Sequence, residues 1–335
     1  MRIPALSLTL LVTAWSANAA QPYVKLAEIP IGGVGRFDYL SVDSAAHRLY
    51  VSHGTEAVVI DTASNSIVGR IENTPGIHGI AVAPELGIGF TTNGGENKVG
   101  IFDLKTLQTK SRVDTGVNPD NLLYVSSQKQ LWSLNHTGKS LTVIDAVKGT
   151  AIATTPLSGQ DEGAQADDSL GKVFINIEDK GTVEVVDMKS YAVVASYPVA
   201  PASEPTGMAI DAANHRLFIG GGDALVMMDT HNGKVVASAP ICKGTDSTWF
   251  DPGTSTAFAS CGDGHITAVS VKGDSLAVAQ TIETARGART MTLDPATHRL
   301  YALEVEYLPA DPANPKARPQ AKEGSLKVLV FGPGK

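Results

Sequence analysis

Five aspartates recur at a fixed interval of 42 residues, and each ends a short apolar segment. The segments read VVID, GIFD, TVID, EVVD and VMMD, and they end at Asp61, Asp103, Asp145, Asp187 and Asp229. A repeat of this length is typical of an array of supersecondary units. Because the chain is 43% hydrophobic and only 18% charged, it has enough apolar material to give such an array a large core.

Two more copies extend the array toward the C-terminus. The sixth ends at Ser270 after 41 residues, and the seventh ends at Val330 after a further 60. The excess in the last step falls in EVEYLPADPANPKARPQAKEGS (304–325), which is rich in proline and charge and is typical of a loop. The sequence therefore predicts seven copies, the last carrying a long insertion.

Each copy also contains a hairpin before the strand that ends in aspartate, as in SVDSAAHRLYVS (41–52) and AIDAANHRLFIG (209–220). A further strand follows, so each copy contains four strands. Four strands in a repeat of WD40-like length form one blade of a propeller. The last copy supplies three strands, and the segment 23–29 can supply its fourth. We predict an all-β, seven-bladed β-propeller with four antiparallel strands per blade, closed by the N-terminal strand.

The first residues have the pattern of a cleaved signal peptide. Arg2 precedes the apolar run 3–15, and Ala17-Asn18-Ala19 matches a small-residue cleavage site. We therefore expect a signal peptide at 1–19 and a single propeller domain at 20–335. The expected product is a periplasmic or secreted monomer with no transmembrane segment after cleavage.

The charge balance bears on partners. Without Arg2, 26 basic residues face 34 acidic ones, a formal balance of −8. An acidic surface without a basic stripe does not favour binding to nucleic acid. The expected partner is instead a small polar ligand or another protein.

Several segments resemble the YVTN/YncE-like β-propeller proteins, which bacteria typically export. The resemblance is carried by HRLYVSH (47–53), AVVIDTASNSIVGRI (57–71), HGIAVAP (78–84), NPDNLLY (118–124), PTGMAIDAANHRLF (205–218) and GARTMTLDPATHRLY (287–301). It implies a seven-bladed propeller and little about activity. One branch of the family is associated with single-stranded DNA, a role that the acidic balance here does not favour.

The repeat also locates a candidate site. Equivalent positions of a propeller point in equivalent directions, so the residue five before each inner-strand turn should face the central channel. These seven positions, called the mouth ring here, hold four carboxylates, one imidazole, one hydroxyl and one guanidinium: Asp38, His78, Asp120, Glu162, Thr206, Asp246 and Arg289. Carboxylates facing one axis repel each other unless a cation, a positive partner, water or protons intervene.

Three interpretations of the mouth ring follow. It lines a wet channel in which Arg289 offsets the acids. Alternatively it binds a divalent metal, either Ca²⁺ or, with the imidazole, a transition metal. The candidate ligands are then Asp38, His78, Asp120, Glu162 and Asp246. In the third interpretation the whole ring binds a small polar ligand, with Arg289 taking a carboxylate or phosphate.

Loops of the same face should bring further polar groups to the mouth: His53, Asn93, Asn135, His136, Glu178, Cys261 and Glu304. Cys242 and Cys261 fall on this side of one blade, and export makes a disulfide between them the expected state. The repeated histidines His47, His215 and His298 obey the period on the opposite face, so they are interpreted as turn residues.

No catalytic motif is present: the sequence has no G-x-S-x-G, no H-E-x-x-H and no C-x-x-C-H. We therefore favour a binding or scaffold protein with an acidic site at the mouth, and assign no catalytic residue. The alternative is a metal-dependent, lactonase-like hydrolase with His78 as candidate base. Nucleic-acid binding is the third hypothesis.

Overall fold

The computed structural model describes residues 21–33, 36–309 and 320–334. The predicted signal peptide and its cleavage site lie outside these residues. The chain forms seven four-stranded antiparallel sheets arranged as the blades of a propeller, as the period predicted. Two single 3₁₀ turns, Pro84–Leu86 and Glu178–Lys180, interrupt the strands.

In blades 1 to 6 the strands follow the chain from the axis outward. Strand β1 (Tyr23–Pro30) precedes blade 1. Blades 1 to 3 comprise β2 (Phe37–Asp43), β3 (Arg48–His53), β4 (Glu56–Asp61), β5 (Ser66–Ile71); β6 (Ile77–Ala83), β7 (Ile88–Asn93), β8 (Lys98–Asp103), β9 (Thr109–Asp114); and β10 (Pro119–Val125), β11 (Gln130–Asn135), β12 (Ser140–Asp145), β13 (Thr150–Pro156).

The remaining blades repeat this order. Blades 4 to 6 comprise β14 (Asp161–Asp167), β15 (Lys172–Ile177), β16 (Thr182–Asp187), β17 (Val193–Pro198); β18 (Pro205–Asp211), β19 (Arg216–Gly221), β20 (Ala224–Asp229), β21 (Val235–Pro240); and β22 (Thr245–Asp251), β23 (Thr256–Cys261), β24 (His265–Lys272), β25 (Ser275–Glu283). Blade 7 comprises β26 (Met291–Asp294), β27 (Arg299–Glu304) and β28 (Lys327–Pro333).

The ring closes through the N-terminal strand, as predicted. Strand β1 pairs antiparallel with β28, and the order in blade 7 is β1-β28-β27-β26. Closure gives β28 a partner on both sides and removes an open edge within the ring.

One detail of the repeat was wrong. In blade 1 Leu49 pairs with Ile60, one residue before the repeated aspartate. In blade 7 the equivalent residue Leu300 pairs with Phe331, so the seventh copy ends at Gly332 rather than Val330. The error arose because the apolar run KVLVF offers no polar residue that marks the end of the strand.

The core lies between neighbouring blades. Trp132 and Leu134 of blade 3, for example, pack with Ile175 of blade 4 in one buried cluster. The third strands are covered on both faces, which explains their unbroken apolar runs. The outermost strands are largely exposed.

The face opposite the mouth is built from the repeated turns. The carboxylate of Asp61 accepts the backbone N–H groups of Ala63 and Ser64, at 3.1 and 2.8 Å, and each of the other repeated aspartates accepts the N–H of the residue two positions later. His47, His215 and His298 all have positive φ, between 54° and 56°. The repeated aspartates and the repeated histidines thus lie in turns, as expected for residues that stabilise the fold.

Candidate functional site at the axial mouth

A β-bulge positions the mouth-ring residue in six of the seven blades. In blade 1 Phe37 pairs with His53 and Leu40 with Val51, so Asp38 and Tyr39 together oppose the single residue Ser52. The register shifts at the same place in blades 2 to 6. A bulge bends the strand and redirects the side chain that it carries. Arg289 differs because it precedes its inner strand.

Hydroxyl groups of the second strands support these bulges. Ser52 accepts the backbone N–H of Asp38 at 2.8 Å, and Thr92 accepts that of Gly79 at 2.6 Å. Thr92 also donates to the carbonyl of Asp120 in the next blade, at 2.5 Å. The ring residues are therefore held by a polar network between blades rather than by the sheet ladder alone.

In blades 4 and 5 the inner strands approach their neighbours too closely for a side chain at the position after the ring residue. A Cβ on Gly163 would lie 2.6 Å from the carbonyl oxygen of Thr206, and one on Gly207 would lie 2.4 Å from the backbone nitrogen of Thr248. Glycine therefore permits the close packing that brings the ring residues around one axis.

Three mouth-ring residues converge on one point. The Nδ1 atom of His78 lies 2.7 Å from Oδ2 of Asp38 and 2.9 Å from Oδ1 of Asp120. The side chains are 23%, 29% and 12% exposed, respectively. One nitrogen thus faces two carboxylates from the two neighbouring blades.

The charges in this group shift the pKa values of His78 and Asp38. Burial lowers the pKa of His78, but its hydrogen bonds and charge interactions with Asp120 and Asp38 outweigh burial and raise that pKa to about 10. Burial and the charges of Asp120 and Asp246 raise the pKa of Asp38 to about 6, against the effect of the His78 hydrogen bond. The imidazole is therefore cationic at neutral pH and serves as the local counter-ion.

Tyr39 reaches across the channel. Its phenol lies 3.0 Å from Oε2 of Glu162 and 3.3 Å from Oδ2 of Asp120, so blade 1 contacts blades 3 and 4 through one side chain. Burial raises the pKa of Tyr39 far above its usual value, and the charge of Glu162 adds to this effect. The phenol therefore remains a hydrogen-bond donor. The sequence offered one signal: the equivalent positions of other blades hold small or turn-forming residues.

A second polar group lies between blades 3 and 4. Nδ1 of His136 lies 3.4 Å from Oε1 of Glu162, and a Glu178 carboxylate oxygen lies within the same cluster. The imidazole is already occupied on both nitrogens: Nδ1 bonds the carbonyl of Asp161 at 2.7 Å, and Nε2 faces the amide of Gln160 at 3.0 Å. This cluster is therefore a poorer candidate for metal binding than the Asp38–His78–Asp120 group.

Sequence analysis missed Asp161. Its side chain is fully buried, and neither carboxyl oxygen makes a hydrogen bond within the described residues. Burial, with a contribution from Asp120, raises its pKa to about 8. The repeat contained a signal, because the position before the ring residue is otherwise apolar or threonine: Phe37, Ile77, Pro119, Pro205, Thr245 and Ala288.

The remaining ring residues face other partners. Thr206 donates its hydroxyl to the carbonyl of Thr245 at 2.7 Å. Asp246 accepts the hydroxyl of Thr290 at 2.8 Å, and Nε of Arg289 lies 3.7 Å from its other oxygen. Of the five expected metal ligands, the structure thus brings together Asp38, His78 and Asp120. Glu162 and Asp246 contact other groups.

A cavity of about 300 Å³ opens beside the three-residue group. Asp38 and His78 line it together with Arg36, Arg289 and the apolar side chains of Phe37 and Ile77. Arg36 was not among the sequence candidates, because it lies two residues before the ring position. The lining of the cavity therefore includes two members of the three-residue group and two guanidinium groups.

The same face carries a disulfide and the base of the long insertion. Cys242 and Cys261 are joined, with their Cα atoms 5.7 Å apart, which links the connection before β22 to the end of β23. Tyr307 forms an isolated bridge with Ala321 and lies against Gly287, two residues before Arg289. The base of the insertion is therefore part of the mouth face.

Comparisons with known proteins establish the fold and no more. No protein-family model matches the chain, and no curated protein matches it significantly. A chain in the crystal structure of the mitotic checkpoint complex is 12% identical with a TM-score of 0.74, and the alignment covers 99% of this chain and 98% of that one. A chain of Kuenenia stuttgartiensis hydrazine synthase is 12% identical with a TM-score of 0.71, covering 87% and 97%.

Because 1786 chains of solved structures match, similarity of this kind does not identify a function. In the described part of the chain, no helix is long and apolar enough to cross a membrane.

Proposed function

We propose that this protein is an exported β-propeller of the YVTN/YncE-like group that binds a divalent metal ion at its mouth. The ligands are Asp38, His78 and Asp120, and the role is binding rather than catalysis. The observation that carries the proposal is the placement of one imidazole nitrogen between two carboxylates, at 2.7 and 2.9 Å.

Without a metal, one proton on Nδ1 of His78 lies between the two carboxylates, and a metal ion must displace that proton in order to bind. A metal ion in its place would contact all three donors. Since metal–ligand distances for imidazole and carboxylate are about 2.0–2.2 Å, the donors need to separate by only roughly half an ångström. One imidazole with two carboxylates suits Zn²⁺, Mn²⁺ or Fe²⁺ better than Ca²⁺, which prefers oxygen alone.

A buried carboxyl group next to the three proposed ligands also supports the binding of a cation. Asp161 is fully buried and has no hydrogen bond from its carboxyl group among the described residues, and the charge of Asp120 adds to burial in raising its pKa to about 8. A bound dication would offset the charge of Asp120 and favour the ionised form of Asp161.

Calorimetric titration of the chelator-treated mature chain with Zn²⁺, Mn²⁺, Fe²⁺ and Ca²⁺ tests the proposal. We expect a transition metal to bind with one-to-one stoichiometry and Asp120→Asn to weaken it by at least about tenfold. Asp246→Asn removes the same charge from the other side of the mouth, so it should change the affinity by less than about threefold. Equal losses in both variants, or no binding by any of the four ions, would reject the three-residue site.

The lactonase-like hydrolase receives less support. Its candidate base, His78, has Nδ1 held between Asp38 and Asp120 and is one of the three proposed metal ligands, whereas a general base must be free to accept a proton. An ester and lactone screen with and without chelator distinguishes the two roles. Chelator-sensitive turnover would favour the enzyme.

A further inference from the structure

We propose that the cavity beside the metal group binds a small bifunctional organic acid, with its carboxylate or phosphate held between Arg36 and Arg289. The second polar group of the ligand, a hydroxyl or an amine, would face Asp38 and His78. This inference rests on the proposed function in taking the mouth as the binding face, and it adds the class of ligand.

The first argument concerns the two guanidinium groups. Both line the same cavity, which places two positive charges beside the acidic residues of the mouth ring. Arg36 is exposed and makes no ion pair among the described residues. Arg289 is half exposed, and its one acidic contact within those residues is the 3.7 Å approach of Nε to Asp246. Neither guanidinium group donates a hydrogen bond to a carboxylate among the described residues.

The second argument concerns the geometry that guanidinium groups recognise. Arginine presents a planar fork of N–H donors that matches the two oxygens of a carboxylate or phosphate. A pair of arginines on one cavity therefore predicts an anionic group on the ligand. Lysine would offer a point charge with less geometric selectivity.

The size and the walls of the cavity argue for an organic ligand rather than an inorganic ion. Its volume of about 300 Å³ is at the lower end of the range for small-molecule pockets, and Phe37 and Ile77 add apolar surface. An inorganic anion would leave this surface without contact. A compact metabolite would fill it with its carbon skeleton.

The opposite wall explains the second polar group. Asp38 and His78 also line the cavity, and they belong to the group proposed to hold the metal. A hydroxyl or amine there can donate to Asp38, or approach a metal bound beside it. The combination of an anion-binding pair and a hydrogen-bond acceptor selects hydroxy acids, amino acids and sugar phosphates over simple monofunctional acids.

The experiment is a calorimetric and thermal-shift screen of the folded mature chain. The probes are malate, citrate, glutamate and glucose 6-phosphate, with inorganic phosphate, acetate and malamide as matched compounds that lack one of the required features. We expect at least one bifunctional probe to bind at least tenfold more tightly than the matched compounds.

Charge-matched variants then locate the site. Arg36→Gln and Arg289→Gln should each weaken the best probe by at least tenfold. Arg48→Gln removes the same charge from the opposite face of blade 1, where Arg48 pairs with Asp61, and should leave the affinity unchanged. No binding by any bifunctional probe overturns the proposal. An equal loss in Arg48→Gln also overturns it, because binding would then be a general charge effect.

The failure of this proposal is separable from failure of the metal site. Titration of the metal ions alone, without any acid, reports on Asp38, His78 and Asp120. Acid binding that persists with chelator and in Asp120→Asn supports the arginine pair even if no metal binds. Metal binding with no response to any acid rejects the arginine pair alone.

Discussion

Histidine–aspartate pairs occur on both faces of the propeller, but they are assembled differently. On the face opposite the mouth, Nδ1 of His215 lies 2.9 Å from Asp167, and Nδ1 of His298 lies 2.7 Å from Asp251. Each joins a turn to the preceding blade, and each has one imidazole for one carboxylate. At the mouth, His78 faces two carboxylates.

The pKa values of the buried aspartates show the consequence. Burial acts to raise the pKa of Asp167, but hydrogen bonds from Ser169, His215 and Thr230 outweigh it, so that pKa is lowered. Asp161 at the mouth has no such partners in the described structure, and burial raises its pKa to about 8. Asp167 on the opposite face thus has its hydrogen-bond partners within the protein, whereas the carboxyl group of Asp161 at the mouth has none among the described residues.

Asp167→Ala should have the largest effect on stability. The substitution leaves His215, Ser169 and Thr230 without their shared acceptor. Because breaking a buried charged network is strongly destabilising, we expect a loss of about 3 kcal/mol in the free energy of unfolding, measured in urea. The matched mouth variant, Asp120→Ala in the presence of chelator, should lose less than about 1 kcal/mol because it also relieves repulsion. Similar losses would show that the two faces do not differ in this way.

Asp161→Asn should stabilise the protein at alkaline pH. The pKa of Asp161 is raised from 3.8 to about 8, so its ionised form is disfavoured by folding. Its favourable contribution is complete below about pH 4 and is lost as the pH rises through about 8. Asparagine has the same shape without the charge. We therefore expect a gain of about 1–3 kcal/mol at pH 8.5 and little change at pH 4.5.

Thermal unfolding at the two pH values, with chelator present, measures this difference. Asp167→Asn is the control, because the lowered pKa of Asp167 means that its contribution is present at neutral pH and is lost only as the pH falls through that lowered value. It should destabilise at pH 8.5. A destabilised Asp161→Asn at pH 8.5 would mean that the carboxylate has a favourable partner.

The contrast between the faces also explains what the sequence could predict. The period of 42 residues predicted the blades and their closure, and it marked the mouth-ring positions as candidates, because these depend on positions that every blade shares. It also separated the repeated histidines from His78, which has no counterpart in other blades. The period misplaced the end of the seventh copy, because the segment KVLVF has no polar residue that marks where its strand ends.

The composition of the site was less accessible because it depends on how far individual side chains reach. Tyr39 lies beside the ring position in the sequence, yet its hydroxyl contacts blades 3 and 4. Arg36 joins the cavity from two residues before the ring. Such contacts follow from bulges and side-chain lengths, which vary from blade to blade and which a periodic alignment averages away.

Tyr39→Phe should have the smallest effect, and it sharpens the assignment of the metal ligands. Its phenol faces Oδ2 of Asp120, whereas His78 faces Oδ1. The three proposed ligand atoms therefore remain in place when the hydroxyl is removed. We expect a loss of about 0.5–1.5 kcal/mol in unfolding free energy, the usual value for one hydrogen bond, and a change in metal affinity below about threefold. Tyr124→Phe is a matched control, since Tyr124 donates to Glu85 on the opposite face at 2.5 Å and should leave metal binding unchanged. If Tyr39→Phe instead abolished metal binding, the phenol would be a ligand, and the metal would lie nearer Glu162 than His78.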